Sequence, residues 1–329
     1  MELIVTTEST AAMTNQNCDV LLERVENICS DGKWNGRAEI VFWKDRYYMP
    51  FRSASEHECY DAQIRMLISD STQPKGWTPD AGIDAPNVTA EAHILATPDR
   101  LFAYLALQDP ATPQDEPIRT LYTHSDDGLT WSEPVLVYEK DFSFWKPVTH
   151  GGVHYVAADI MTDNPRVELL QSQDGMDWQK ISTIVEGDFT ETALLFLKDN
   201  TLVAFVRQGR VALSRPPYTA WSVHDCPVLH GPAATLVGDT ILVSGRVFTE
   251  NYPDDQPGRS RTGLFVFDPE TLQFHWQMNM LAQWGGDESY PDFLTLDDRR
   301  ALMVWYTGEL YEKGVPKQAD LLLATLRLQ

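Results

Sequence analysis

The residue types able to grip an anion or move a proton lie at the ends of short apolar runs in this chain. In "FTETALLFLKDNTLVAFVR", residues 189–207, Glu191 precedes one run and Arg207 closes the next, sixteen positions later. Arg52 closes "RYYMPFR", Arg246 closes "TILVSGR", Arg261 opens "RTGLFVF", and Arg37 stands in "WNGRAEIVFW". A guanidinium keeps its charge and presents a planar fork to a carboxylate, so several such ends brought together would hold an anionic group. Asp61 and His57, with Glu58 between them in "MPFRSASEHECYDAQIRML", are proton-transfer groups, and an imidazole titrates near neutral pH unaided. Tyr290, in "GGDESYPDFLTL", follows Arg261 by 29 residues. "AEAHILATPDRLF" puts Glu91 and His93 at the opening of another run, and "FWKPVTHGGVHY" does the same with Trp145 and Lys146. There an indole could stack on a sugar face and an amine could bind an anionic group, while plain packing accounts for Trp145 equally well.

His57, His93, His150 and His154 do not fall into a compact ligand spacing, and Cys18, Cys29, Cys59 and Cys226 form no CxxC pair. No metal and no other cofactor is expected, and the cysteines read as reduced thiols. A formal charge of −22 over 329 residues would repel duplex nucleic acid and anionic membranes from most of the surface. No stretch nears the roughly 20 apolar residues needed to span a bilayer. The N-terminus lacks a basic segment followed by a long apolar run, so a cytoplasmic location is expected. In that setting the sequon Asn87-Val88-Thr89 carries little weight.

The elements that must position these residues form a repeat. "SDDGLTW" at 125–131 is written again as "SQDGMDW" at 172–178. Each follows a strand-like run, and the same register continues in runs ending at Trp77, Trp221 and Trp276, with a last member, "ADLLLATLRL", at 319–328. Trp-to-Trp spacings of 54, 47, 43 and 55 residues suit four short strands plus loops per repeat. A second strand recurs upstream of each, ending at Arg52, Leu107, Asp159, Arg207, Arg246 and Gly308. These runs predict an all-β, six-bladed β-propeller of four-stranded antiparallel blades, a single domain over residues 1–329. The last repeat shows three strands, so "DVLLERVENI" at 19–28 is expected to supply the fourth and close the ring. In the repeated turn, Asp accepts the amides of its own hairpin, Gly takes a positive φ, and Trp packs into the blade. That makes the turn scaffold on the outer edge, away from the axis.

The turn "SDDGLTW" resembles, in compact form, the Asp box of sialidases and their relatives, a motif that also occurs in propellers with other functions. The 189–207 segment is similar to the part of a sialidase in which a Glu opens one strand and an Arg closes the next. The order Arg261 then Tyr290 is similar as well, and Arg52 stands at the family's Arg-containing strand end. The resemblance implies an exo-glycosidase that removes a terminal sugar acid from a small carbohydrate. Arg37, Arg207 and either Arg246 or Arg261 would grip the substrate carboxylate. Tyr290 would attack, Glu191 would polarise it, and Asp61, 24 residues after Arg37, or else His57, would serve as acid and base. A carboxylate nucleophile would be repelled by the carboxylate beside the anomeric carbon, which a Tyr, neutral until it attacks, avoids. Sialidases carry Phe/Tyr-Arg-Ile-Pro where this chain has "WNGRAEIVFW", a departure that leaves the identity of the sugar acid open.

Two other activities would use a similar pocket. In a uronate-directed lyase, a Tyr or His would abstract the proton α to an Arg-neutralised carboxylate. In a non-catalytic carbohydrate-binding propeller, the same groups would bind without turnover.

Overall fold

The computed structural model describes residues 20–57, 59, 61–69, 74–84, 88–107, 119–162, 164–248, 260–280, 288–308 and 318–329. Cys18, Glu58 and Asn87 lie outside the described residues. No helix occurs among those described. The chain opens with β1 (Val20–Cys29), β2 (Trp34–Gly36), β3 (Val41–Trp43), β4 (Arg46–Ala54), β5 (Gln63–Ser69) and β6 (Thr78–Ile83). Four four-stranded antiparallel sheets follow in chain order. The first holds β7 (Val88–Ala96), β8 (Leu101–Leu107), β9 (Arg119–Ser125) and β10 (Val135–Leu136). The second holds β11 (Ser143–His150), β12 (Val153–Ile160), β13 (Arg166–Ser172) and β14 (Gln179–Glu186). The third holds β15 (Ala193–Phe196), β16 (Leu202–Val206), β17 (Arg210–Ser214) and β18 (Ser222–Asp225). The fourth holds β19 (His230–Val237), β20 (Thr240–Phe248), β21 (Ser260–Asp268) and β22 (Gln273–Asn279).

The remaining strands, β23 (Ser289–Thr295), β24 (Arg300–Gly308) and β25 (Ala319–Leu328), pair antiparallel in that order. β1 lies antiparallel along the far side of β25, from Val20 opposite Leu328 to Cys29 opposite Leu321. β2, β4, β5 and β6 form a ladder, with β3 also on β4, and it joins β25 through the single parallel pair of Trp34 and Ala319. Successive four-stranded antiparallel sheets of this kind are the arrangement of a β-propeller.

Composition explains which strands lie inside. The second strand of a sheet is apolar on both faces, as in "LFAYLAL" of β8 and "LVAFV" of β16, and every residue of both is buried. The fourth strands β10 and β18 are short and exposed, which limits edge-to-edge pairing with other chains.

The two copied turns are built alike. Asp127 Oδ1 accepts the amides of Leu129 and Thr130 at 2.8 and 2.7 Å, and Asp174 Oδ1 accepts those of Met176 and Asp177 at 2.8 and 2.9 Å. Those amide bonds hold the Asp127 carboxyl down at about 2. Gly128 and Gly175 both take φ 78°. The turns also lock neighbouring sheets together. Tyr104 of β8 donates to Gly175 O at 2.8 Å, and a Cβ on Gly128 would meet the Tyr48 ring of β4 at 2.5 Å. Trp178 is buried, edge-on to Tyr104 and Phe144.

Candidate active site

In the first strands of three sheets the chain breaks register at an X-Pro step. The shift falls after Trp145 in β11, after His230 in β19 and after Ser289 in β23, over Lys146-Pro147, Gly231-Pro232 and Tyr290-Pro291. Proline has no N–H to give the ladder, so in a strand it belongs at a bulge, and a bulge re-aims the side chains beside it. β7 also breaks register before Glu91, over Thr89-Ala90 and without a proline. The bulges touch one another: Trp145 Nε1 donates to Pro232 O at 3.4 Å, and Lys146 Nζ donates to Pro291 O. First strands of sheets far apart in sequence therefore meet at one centre.

Tyr290 sits at that centre, buried in the largest apolar cluster, edge-on to Trp145 and 6.1 Å from the Tyr306 ring. Its hydroxyl donates to Glu191 Oε1 at 2.7 Å. The same oxygen accepts from Arg207 Nη1 at 2.6 Å, and Glu191 Oε2 accepts the Gly231 amide at 2.8 Å. Two more guanidiniums lie over the Tyr290 ring, Arg37 at 4.9 Å and Arg246 at 5.0 Å from its centroid. Arg246 is anchored by donating to Glu288 O at 2.7 Å and to the Tyr306 hydroxyl at 3.4 Å. Burial, then the Glu191 carboxylate, raise the Tyr290 phenol above its ordinary range, against the pull of Arg37, Arg246 and Arg207. A phenol in this setting stays protonated and gives up its proton only to a positioned acceptor, which Glu191 provides.

Strain concentrates here. Arg37, Glu191 and Tyr290 all adopt left-handed backbone, at φ 53°, 48° and 42°. Each such residue costs about 1–2 kcal/mol, a load that recurs at functional sites. Gly231, at φ 55°, meets the Tyr290 ring where its Cβ would be, at 2.6 Å. Gly231→Ala is therefore expected to push the ring off Glu191 and destabilise the fold by about 1–3 kcal/mol, seen as a lower urea midpoint at unchanged m-value.

A buried charge network supports Arg37. Glu91 Oε2 takes Arg37 Nη1 at 3.4 Å, and Glu91 Oε1 lies 3.8 Å from His93 Nε2. Glu39, which the sequence did not single out, accepts from His93 Nδ1 at 2.6 Å and from the Ile94 amide at 2.8 Å. Burial pushes His93 down, but Glu39 and then Glu91 more than reverse this and hold it at about 9. Burial likewise opposes ionisation of Glu91, yet Arg37, His93 and Lys146 bring it to about 2. Lys146 Nζ lies 3.4 Å from Asp292, whose other oxygen accepts the Ile40 amide at 2.9 Å. Burial raises Asp292 above the usual carboxylate range, against the attraction of Lys146.

Trp145, 2% exposed, packs against His93 at 4.8 Å and edge-on to Tyr290 at 6.0 Å between ring centroids. Arg52, 1% exposed, stacks on Trp34 at 4.8 Å and donates to Cys59 O at 3.3 Å. Arg246, opposite Thr262 in the ladder, reaches the Tyr290 ring; Arg261, one step along opposite Val247, donates to Ser260 O at 2.8 Å. Asp61 lies exposed in the β4–β5 loop, where it accepts from Cys59 Sγ at 2.7 Å and from the Ser55 amide at 3.1 Å. Those bonds lower its carboxyl below the ordinary value. His57 stands on the same loop, its ring 5.1 Å from Trp34, which in turn is edge-on to Tyr306. His150 stacks on Phe196 and His154 bonds Thr149, both away from the centre.

His230, Asp159, Asp292 and Glu39 join the site without having been picked out from sequence. His230 Nδ1 accepts from Arg207 Nη2 at 3.1 Å; burial, Arg207 and Arg246 push it down to about 4, so it is neutral. Two signals were present. Asp159 ends its strand as Arg207 and Arg246 end theirs, and Glu39 and Asp292 each stand two residues beyond a candidate, Arg37 and Tyr290.

Among solved structures, the chain matches a protein of unknown function from Dyadobacter fermentans at a TM-score of 0.75 and 14% identity, over 94% of this chain and 100% of that one. It matches phage phi92 endosialidase at a TM-score of 0.71 and 10% identity, over 93% of this chain and 69% of that one. Trypanosoma rangeli sialidase matches at a TM-score of 0.66 and 13% identity, over 90% of this chain and 55% of that one. The fold is that of the sialidase-like propellers. At these identities the likeness is one of fold alone. No family model and no curated protein matches the chain.

Proposed function

We propose that this chain is a sialidase-like exo-glycosidase that removes a terminal sugar acid. The observation that carries this is the Tyr290 hydroxyl on Glu191 at 2.7 Å, beneath the Arg37 and Arg246 guanidiniums. Trypanosoma rangeli sialidase, which shares the fold, has been solved with sialic acid. Arg37, Arg207 and Arg246 would bind the substrate carboxylate, Arg261 being the alternative third member. Tyr290 Oη would attack the anomeric carbon as Glu191 takes its proton, while Asp61, or else His57 on the same loop, protonates the departing oxygen. Water, deprotonated by that same acid, would then release the sugar from Tyr290 as Glu191 returns the proton.

The ring that holds these groups would have six blades, β23, β24, β25 and β1 forming the last. Contacts across the centre support this, because Asp292 of β23 bonds Ile40, Glu39 bonds His93 of β7, and Trp145 of β11 bonds Pro232 of β19.

A panel of umbelliferyl nonulosonates and uronides tests the proposal. Fluorophore release together with a saturated free sugar acid is expected. An unsaturated uronate product would replace hydrolase with lyase, and no turnover across the panel, with binding retained, would leave a carbohydrate-binding propeller.

A further inference from the structure

Asp159 lies near the end of β12, paired with Ser143 of β11 much as Arg246 of β20 is paired with His230 of β19. It is 7% exposed, and its Oδ1 accepts the Glu191 amide at 3.3 Å across the gap to the next sheet. That amide belongs to a residue at φ 48°, where Cβ crowds the following carbonyl and the backbone relaxes unless something restrains it. Both Glu191 carboxylate oxygens are engaged, Oε1 by Tyr290 and Arg207 and Oε2 by the Gly231 amide. Glu191 is thus gripped at the carboxylate by β19, β23 and Arg207, and at the backbone by Asp159.

We propose that Asp159 is a positioning residue that acts through Glu191, holding its left-handed backbone so that the carboxylate stays aimed at the Tyr290 hydroxyl. Its effect on turnover rests on the glycosidase proposed above; its effect on geometry does not. The groups acting on Asp159 come from the two neighbouring sheets, Glu91 and His93 on β7 and Glu191 just ahead of β15. Burial raises its carboxyl to about 8; the Glu191 amide bond and the His93 imidazolium oppose the rise, and the Glu191 and Glu91 carboxylates add to it. At neutral pH Asp159 is uncharged and still accepts the amide. Ionisation above about 8 sets a second negative charge beside Glu191, where it also opposes an anionic substrate.

Asp159→Ala removes the acceptor, whereas Asp159→Asn keeps an Oδ1 acceptor that cannot ionise. With an umbelliferyl sialoside, Asp159→Ala is expected to lower kcat about 10- to 100-fold with little change in KM, the size of effect that a misaimed catalytic group produces. Asp159→Asn is expected to restore kcat at pH 7 and to lose the fall in kcat/KM that the wild type shows as pH rises through about 8. Equal impairment of both variants, or wild-type kcat in both, would overturn the proposal. Crystal structures separate this result from failure of the glycosidase assignment. Even if the wild type turns over no glycoside, Asp159→Ala must release Glu191 from its left-handed backbone and part it from Tyr290, while Asp159→Asn keeps both. An unchanged Glu191 in Asp159→Ala would sink the inference, and if that variant does not fold, a displaced Glu191 in Asp159→Asn does so.

Discussion

Tyr290→Phe is expected to lose turnover by a factor of at least about a thousand while it still binds the free sugar acid. The substitution removes one oxygen and leaves the ring edge-on to Trp145 and under Arg37 and Arg246, so the fold and the guanidinium geometry survive. Glu191 keeps its bonds from Arg207 and the Gly231 amide, which prevents it from becoming an uncompensated buried charge. Affinity is therefore expected to persist without the Tyr290 hydroxyl. Calorimetry with the sugar acid, alongside single-turnover release from an umbelliferyl glycoside, measures the two effects separately. Unimpaired turnover would remove Tyr290 from the mechanism, and loss of binding alone would reassign it to the ligand grip.

Glu39→Ala is expected to destabilise the protein by about 3–5 kcal/mol, the usual consequence of stripping one partner from a buried ion pair. Glu39 is 5% exposed and accepts both the His93 imidazole and the Ile94 amide, so its removal strands two donors at once. The loss carries a pH signature. His93 is raised from 6.5 to about 9 in the folded protein, so the stability it contributes is complete below about 6.5 and disappears as pH rises through about 9. The gap between wild type and variant should accordingly narrow at alkaline pH. Urea unfolding at several pH values measures it, and a gap below about 1 kcal/mol at pH 6 would show that the pair is not a structural brace.

Much of the architecture was legible locally. Strands such as "LFAYLAL" and the Trp-terminated runs announce themselves by composition and spacing, because a short apolar segment between turn residues has few other ways to bury itself. The turns at 125–131 and 172–178 could be derived outright, since Asp, Gly and the amides that follow act within one hairpin. Their contact with the preceding sheet, Gly175 on Tyr104, was not readable, because nothing within a repeat says which face its neighbour offers.

The sequence by itself determined the strand-rich repeat and the residue types near strand ends, among them arginines, a glutamate and a tyrosine. Tertiary structure decided which of them meet. Tyr290 and Glu191 are 99 positions apart and touch only because the first strands converge, the Tyr290-Pro291 bulge re-aiming the tyrosine and a left-handed backbone holding Glu191 just ahead of β15. Ladder register brings Arg246 to Tyr290, and Arg261, on the alternate step, bonds elsewhere. The buried carboxyls Glu39, Asp159 and Asp292 carried only positional hints in the sequence, a strand end or a place two residues beyond a candidate, since a charge reveals its partners only when folding strips its water and supplies them.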